Sequence, residues 1–230
     1  MSYQAVFKRY ELKYLLTQSQ KAALLACMDP HMALDQYGRV LIRNLYYDTD
    51  NYRMIRRSIE KPAYKEKLRI RSYGPAAPGE KVFVELKKKY DDVVYKRRLS
   101  TTEPVALDWL AGNSPCPVDS QIGREITYAR DFYETLHPVL FLAYEREAYY
   151  AKDGSDFRVT FDDHILCSQD ELSLSAKVQG LSLLDEDYVL MELKCSGGLP
   201  LWMVQHLSRE RIYKTSFSKY GTAYQQLIFH

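Results

Sequence analysis

A chain of 230 residues with 46% apolar content suits one domain with a substantial core. Its net charge is only +2, which excludes bulk-charge binding of polyanions, so any anion site must come from local arrangement. The four cysteines (Cys27, Cys116, Cys167 and Cys195) lie far apart without a CxxC pair, which argues against a zinc site or a disulfide framework. The opening MSYQAVFKRYELKY has no apolar signal core, and no stretch reaches the roughly 20 apolar residues of a membrane span. The expectation is a cytoplasmic protein with reduced thiols and no membrane segment in this chain.

A strand-like run at 5–14 leads to Thr17 and Ser19, which can cap a helix running to about Met28 and stopped near Pro30. A strand at 41–48 and a helical turn at 50–59 follow. Strands at 64–73, 81–89 and 93–99 are separated by GPAAPG and by Asp91-Asp92. A short helix spans 104–111 and ends at Gly112. Another spans 121–136, with Ile122, Ile126, Ala129 and Tyr133 at helical spacing. Strands at 142–151 and 157–163 flank the turn KDGSD, and a last strand lies at 188–195. The segment 199–212 reads as an amphipathic helix with Pro200 in its first turn, and 218–229 as a closing helix. No repeat or linker divides the chain, so 1–230 is expected to be one domain with a C-terminal helical segment at about 199–230.

Side chains alternate between the two faces of a strand. In YKEKLRIRSYG (64–74), Lys65, Lys67, Arg69 and Arg71 therefore share one face, and Leu68 and Ile70 the other. In VFVELKKK, Val82, Val84 and Leu86 oppose Phe83, Glu85, Lys87 and Lys89, so Lys88 is expected to meet solvent. The pattern recurs where Glu11 and Lys13 oppose Tyr10, Leu12 and Tyr14. It recurs again where Arg158, Thr160 and Asp162 oppose Phe157, Val159 and Phe161, and where Glu192 and Lys194 oppose Val189, Met191 and Leu193. An ordinary antiparallel sheet with one wet face would also alternate. These polar faces, however, repeat Arg, Lys, Glu and Asp, and the amphipathic helices need an apolar surface to cover. A barrel with helices outside and charge inside satisfies both. A polyanion with a divalent metal would compensate its interior charge.

The pieces RYELKY (9–14), LYYDT (45–49), KLRIRSYG (67–74), VELKKK (84–89), KRR (96–98), YEREAY (144–149), RVTFD (158–162), LMELK (190–194) and SFSKYGTA (216–223) occur in an order that resembles the triphosphate tunnel metalloenzymes, or CYTH-like superfamily. Within them they resemble the VTC domain, the catalytic domain of polyphosphate polymerases. The resemblance implies an α+β fold, an eight-stranded antiparallel β tunnel with a polar, charged lumen and helices packed outside. It implies a metal-dependent phosphotransferase that moves the terminal phosphoryl group of ATP onto a growing inorganic polyphosphate chain, with Mn²⁺ or Mg²⁺ as cofactor. A tunnel triphosphatase and a non-catalytic polyphosphate-binding module are the alternatives.

Carried onto this sequence, Arg69 and Arg71 match the LRIR pair that grips phosphates, and Lys13, Lys87, Lys96, Arg146, Arg158 and Lys194 match tunnel-lining cations. Lys67 and Arg98 join them by alternation. Lys219 matches a basic residue of the C-terminal helix. Arg69, Arg71, Lys194 and Lys219 are the expected catalytic set. Glu192 matches the acidic metal ligand, with Glu85 as best second acid and Glu11 as third. Two departures stand out. Arg9 replaces the first Glu of the ExExK motif, which tilts away from a two-metal hydrolase. Ser216 stands where eukaryotic polymerases carry Lys, and Lys214 is the candidate substitute. An inward Arg beside an inward Glu also reads as a structural ion pair, and Asp162 as a group that orients a neighbouring Arg. The expected partners are ATP and polyphosphate or triphosphate. Nucleic acid is not expected, since no aromatics interleave with the cations.

Overall fold

The computed structural model describes residues 10–91 and 93–228. Its strands are β1 (Tyr10–Thr17), β2 (Met32–Asp48), β3 (Tyr64–Tyr73), β4 (Lys81–Tyr90), β5 (Val93–Thr102), β6 (His137–Ala151), β7 (Arg158–Ser168), β8 (Leu181–Ser182), β9 (Tyr188–Cys195) and β10 (Lys214–Thr215). The helices are α1 (Gln18–Met28), α2 (Arg53–Ile59), α3 (Glu103–Leu110), α4 (Gln121–Tyr133), α5 (Leu201–Arg209) and α6 (Lys219–Ala223). A π-helical turn, Tyr224–Ile228, continues α6. The class is α+β, as expected. The part of strand 5–14 before Tyr10, with Arg9, lies outside the described residues, as does Phe229.

All strand pairs are antiparallel, in one ten-stranded sheet ordered β10-β1-β9-β7-β6-β2-β3-β4-β5, with β8 on β7. The expected closed, eight-stranded tunnel is not what these strands form. Among the described residues the sheet is open, and the two-residue β8 and β10 add to eight longer strands. It is nevertheless strongly curled. Glu11 on β1 pairs with Lys87 on β4 at 2.7 Å, although these strands stand near opposite ends of the order.

The apolar strand faces point outward under helices, as the alternation requires. Leu68, Ile70, Val82, Val84 and Leu86 pack against Trp109 and Leu110 of α3 and Ile126 and Ala129 of α4. Tyr14, Leu16, Val159, Met191 and Leu193 pack against Leu24 and Met28 of α1 and Met203 and Leu207 of α5. Truncating a fully buried Leu such as Leu68 costs about 2–5 kcal/mol. Thr17 starts α1 with a capping box closed by Gln20. The buried Asp48 carboxylate accepts from the Met54 and Ile55 amides, holding the start of α2, and from the Tyr220 hydroxyl.

A third cluster corrects the expectation of a uniformly polar interior. Ile42, Tyr46, Leu142, Tyr144 and Leu190 face inward and pack on Tyr220 and Ala223 of α6 and on Tyr224. One end of the concave face is therefore filled by apolar contact with the C-terminal segment. His164 supplies part of the reason, with a positive φ of 46° at a register shift between β6 and β7. An extra residue there reverses strand parity. Asp162 before the bulge and Ile165 and Cys167 after it thus lie on the inner side.

Candidate functional site

The concave face carries far more cations than carboxylates, gathered around two acidic centres. The first is Glu85 on β4, 1% exposed. Arg69 on β3 donates to its Oε2 through Nε and Nη2 at 2.9 and 2.7 Å. Lys96 and Arg98 on β5 reach Oε1 at 2.6 and 3.1 Å, and Arg71 stands 3.9 Å from Oε2. Antiparallel register opposes Glu85 to Arg69 on one side and Arg98 on the other. Burial opposes ionisation, but Arg69, Arg71 and Lys96 outweigh it and hold the carboxyl well below its ordinary range.

The second centre joins β7, β9 and α6. Asp162, fully buried, accepts two hydrogen bonds from Arg146 at 2.5 and 2.6 Å and one from Lys219 at 2.5 Å. It orients Arg146, as its sequence position suggests. Glu192 lies among four cations at longer range: Lys194 at 3.3 Å, Lys13 at 3.6 Å, and Arg146 and Lys219 both at 3.7 Å. Burial would raise its pKa, but Lys219, Lys194, Lys13 and Arg146 prevail and hold it well below the usual carboxylate range.

Between the centres the cations crowd one another. Lys67 is pushed down to about 7, first by burial and then by Lys13, Lys87, Lys65 and Arg69. Burial likewise brings Lys96 down to about 8, against the pull of Glu85. Glu11 is lowered as well, to about 2, but toward its charged form, because Lys87 and Lys194 outweigh its burial. Neutral groups complete the lining. Arg69 donates to the Tyr46 hydroxyl at 3.0 Å, and Arg71 to Asn44 Oδ1 at 2.9 Å and the Tyr144 hydroxyl at 3.0 Å. The C-terminal segment enters through Lys13, which donates to the Phe217 carbonyl at 2.8 Å, and Lys67, which donates to Ser218 Oγ at 3.0 Å.

The structure thus brings together Lys13, Lys67, Arg69, Arg71, Lys87, Lys96, Arg98, Arg146, Lys194 and Lys219. Arg158 shares their side of β7 but is exposed and forms no ion pair with another described residue. Lys65 donates to the Ser58 carbonyl of α2 at 3.4 Å. Lys88 does not simply meet solvent: it stands 3.7 Å from buried Glu66 and 3.9 Å from Glu125 of α4. Lys214 pairs opposite outward-facing Tyr14 and lines a cleft of about 260 Å³ with Tyr213 and Leu199, so it supplies no cation in place of Ser216. Tyr46, Asn44 and Ser218 were not singled out in the sequence. Alternation with Ile42 and Asp48 marks the first two as inward, whereas nothing local marks Ser218.

Glu192, Glu85 and Glu11 do not converge. Among the described residues, the one group of three candidate metal donors is Glu145, Asp163 and His164. The Arg39 guanidinium already occupies it, donating to both carboxylates. On the concave face, Glu85 Oε2 accepts from Arg69 and Oε1 lies within 2.6 and 3.1 Å of Lys96 and Arg98, while the Glu192 oxygens hold only ion pairs at 3.3 Å or more. A carboxylate in that state would offer a hard oxygen donor to Mn²⁺ or Mg²⁺.

A family model described as the VTC domain matches residues 8–228. No curated protein matches the chain. Among solved structures, a candidate adenylate cyclase from Bacillus halodurans is similar at 14% identity and TM-score 0.59, covering 98% of this chain and 100% of that one. A second candidate adenylate cyclase, from Vibrio parahaemolyticus, is similar at 11% identity and TM-score 0.50, covering 95% and 98%. A candidate adenylyl cyclase from Hippeastrum, described as revealing a dominant triphosphatase activity, is similar at 15% identity and TM-score 0.51, covering 94% of each chain. At these identities the likeness is one of fold.

Proposed function

Because this chain belongs to the VTC domain family over residues 8–228, we propose that it is a polyphosphate polymerase that transfers the terminal phosphoryl group of ATP to a growing polyphosphate chain. The observation that carries this reading is the excess of inward cations over carboxylates. Such an interior is poorly compensated by itself and is complementary to a chain of phosphates. Phosphoryl transfer asks mainly for positioning and neutralised charge.

Arg69 and Arg71 present planar forks suited to pairs of phosphate oxygens, and both are held in place by protein partners. Lys96, Arg98 and Lys87 extend the row along β4 and β5. Lys194, Arg146 and Lys219 surround the opposite side, where Asp162 holds the last two in position. A terminal phosphate oxygen of the chain attacks the γ-phosphorus. The new P–O bond forms as the bond to the β-phosphate bridging oxygen breaks, and ADP leaves. No protein nucleophile is needed.

Glu192 would be the residue to hold Mn²⁺ or Mg²⁺; Glu11, on the adjoining strand, already accepts from Lys87 at 2.7 Å. Glu85 we reassign to a counter-ion that spaces Arg69, Arg71, Lys96 and Arg98. When bound, the ion supplies further neutralisation of charge on the transferring phosphoryl oxygens.

A second reading is a triphosphatase, with water as acceptor in the same lumen. It draws support from Glu11 and Glu192, which sense each other's charge and offer two acids on adjoining strands. Incubating the purified protein with ATP and Mn²⁺ separates the readings. Long chains on a gel support the polymerase, phosphate release without chains supports the hydrolase, and binding without turnover supports a non-catalytic module.

A further inference from the structure

The row of inward residues on β3 runs Lys65, Lys67, Arg69, Arg71 and ends in Tyr73. The row on β4 runs Lys89, Lys87, Glu85, Phe83 and ends in exposed Lys81. Register places Phe83 opposite Arg71, one step inside Tyr73. Near this end the cationic face carries two adjacent aromatic rings, with exposed Lys81 beyond Phe83. Tyr73 and Phe83 meet edge to face with centroids 5.7 Å apart. The Arg98 guanidinium lies over the Phe83 ring, 3.7 Å from its centroid, and donates to the Tyr73 hydroxyl at 2.7 Å. The same Arg98 stands 3.1 Å from Glu85, so the rim is rigidly joined to the phosphate-facing network. Tyr73 is 49% exposed, so much of its ring remains open.

We propose that Tyr73, buttressed by Phe83 and Arg98, is the platform on which the base of a nucleoside triphosphate stacks while its phosphates extend along Arg71 and Arg69. This rests on the polyphosphate-tunnel reading and adds the position and chemistry of the nucleoside end. A nucleoside triphosphate is a short polyanion ending in a flat ring system, and this edge of the lumen has the matching sequence of groups. Two strand residues advance about 7 Å, so Tyr73 lies beyond Arg71 by a length suited to the ribose between phosphate and base. Aromatic and guanidinium faces stack on any base without reading its edge. The rim would thus bind the nucleotide and leave inorganic triphosphate untouched.

The test is the affinity of ATP and of inorganic triphosphate for the wild-type protein, Tyr73→Ala and Tyr73→Phe. Because Tyr73 is half exposed, both variants should melt near the wild type. Stacking on one ring is worth about 1–3 kcal/mol, so Tyr73→Ala should weaken ATP about tenfold or more and leave triphosphate unchanged. Tyr73→Phe, which keeps the ring and loses the hydroxyl, should retain most of the ATP affinity. If Tyr73→Ala leaves ATP unchanged, or weakens ATP and triphosphate equally, the platform is overturned. If the wild type binds neither ligand, the tunnel reading itself fails.

Discussion

Glu85 and Glu192 are both inward carboxylates ringed by cations, yet they are built differently. Around Glu85 the partners approach to hydrogen-bond distance, at 2.6–3.1 Å for Arg69, Lys96 and Arg98. Around Glu192 the four cations remain at 3.3–3.7 Å. The first arrangement neutralises its acid by close ion pairing, and the acid spaces four cations on one wall. The second keeps an acid whose oxygens can still take a ligand. Contact distance alone is what separates these two residues of the same type on the same face, and the proposed function rests on it to give Glu85 a structural role and Glu192 a chemical one.

The contrast is testable first through stability. Glu85→Gln leaves a buried knot of cations without its anion, and should destabilise the protein by about 3 kcal/mol in chemical denaturation. A loss no larger than that of an exposed ion pair would remove the distinction. Glu192→Gln should lose less stability, since no close hydrogen bond is surrendered. Its main effect should be on metal-dependent turnover, more than tenfold down by the usual yield of such charge stabilisation, with polyphosphate affinity kept or raised because a negative charge has left the lumen. Normal turnover would show that the metal is held elsewhere.

The smallest expected effect concerns protons. Lys67 at about 7 and Lys96 at about 8 lie below their ordinary value, so between those values and the ordinary one the unfolded chain binds more protons than the folded protein. Stability from these groups is therefore least below pH 7 and rises as pH increases from there. Polyphosphate would draw both lysines back to their charged forms. At pH 8, binding should take up protons, read as a dependence of calorimetric enthalpy on the buffer, and Lys67→Met should reduce that uptake. Uptake unchanged in Lys67→Met would assign it to other groups.

Much of this architecture is visible in strand alternation. Leu68 and Ile70 go outward and Lys67, Arg69 and Arg71 inward because period two leaves no other choice once helices cover the apolar face. The helix starting at Thr17 is legible because its cap is a local signal. What was hidden depends on distant partners. Ile42, Leu142 and Leu190 occupy inward positions yet are apolar, since α6 packs on them from the far end of the chain. Lys88 points outward as its position demands, but only the placement of α4 reveals Glu125 beside it. β2 begins at Met32, well before the expected strand at 41–48, across a stretch with Asp35 and Gly38 that is poor in strand formers. The bulge at His164, which keeps Asp162 and Ile165 on one side, has no sequence mark. The division between Glu85 and Glu192 was equally illegible, since it lies in differences of about an ångström between their contacts.

The central claim is that the inward cations form one continuous polyphosphate site. The most direct measurement is polyphosphate affinity at one fixed salt concentration for the wild type and for folded Arg69→Ala and Arg71→Ala proteins. Each substitution removes a charged fork from the middle of the β3 row, and each should weaken binding about tenfold or more by loss of charge-assisted hydrogen bonds. Affinity equal to the wild type in both variants would contradict the account.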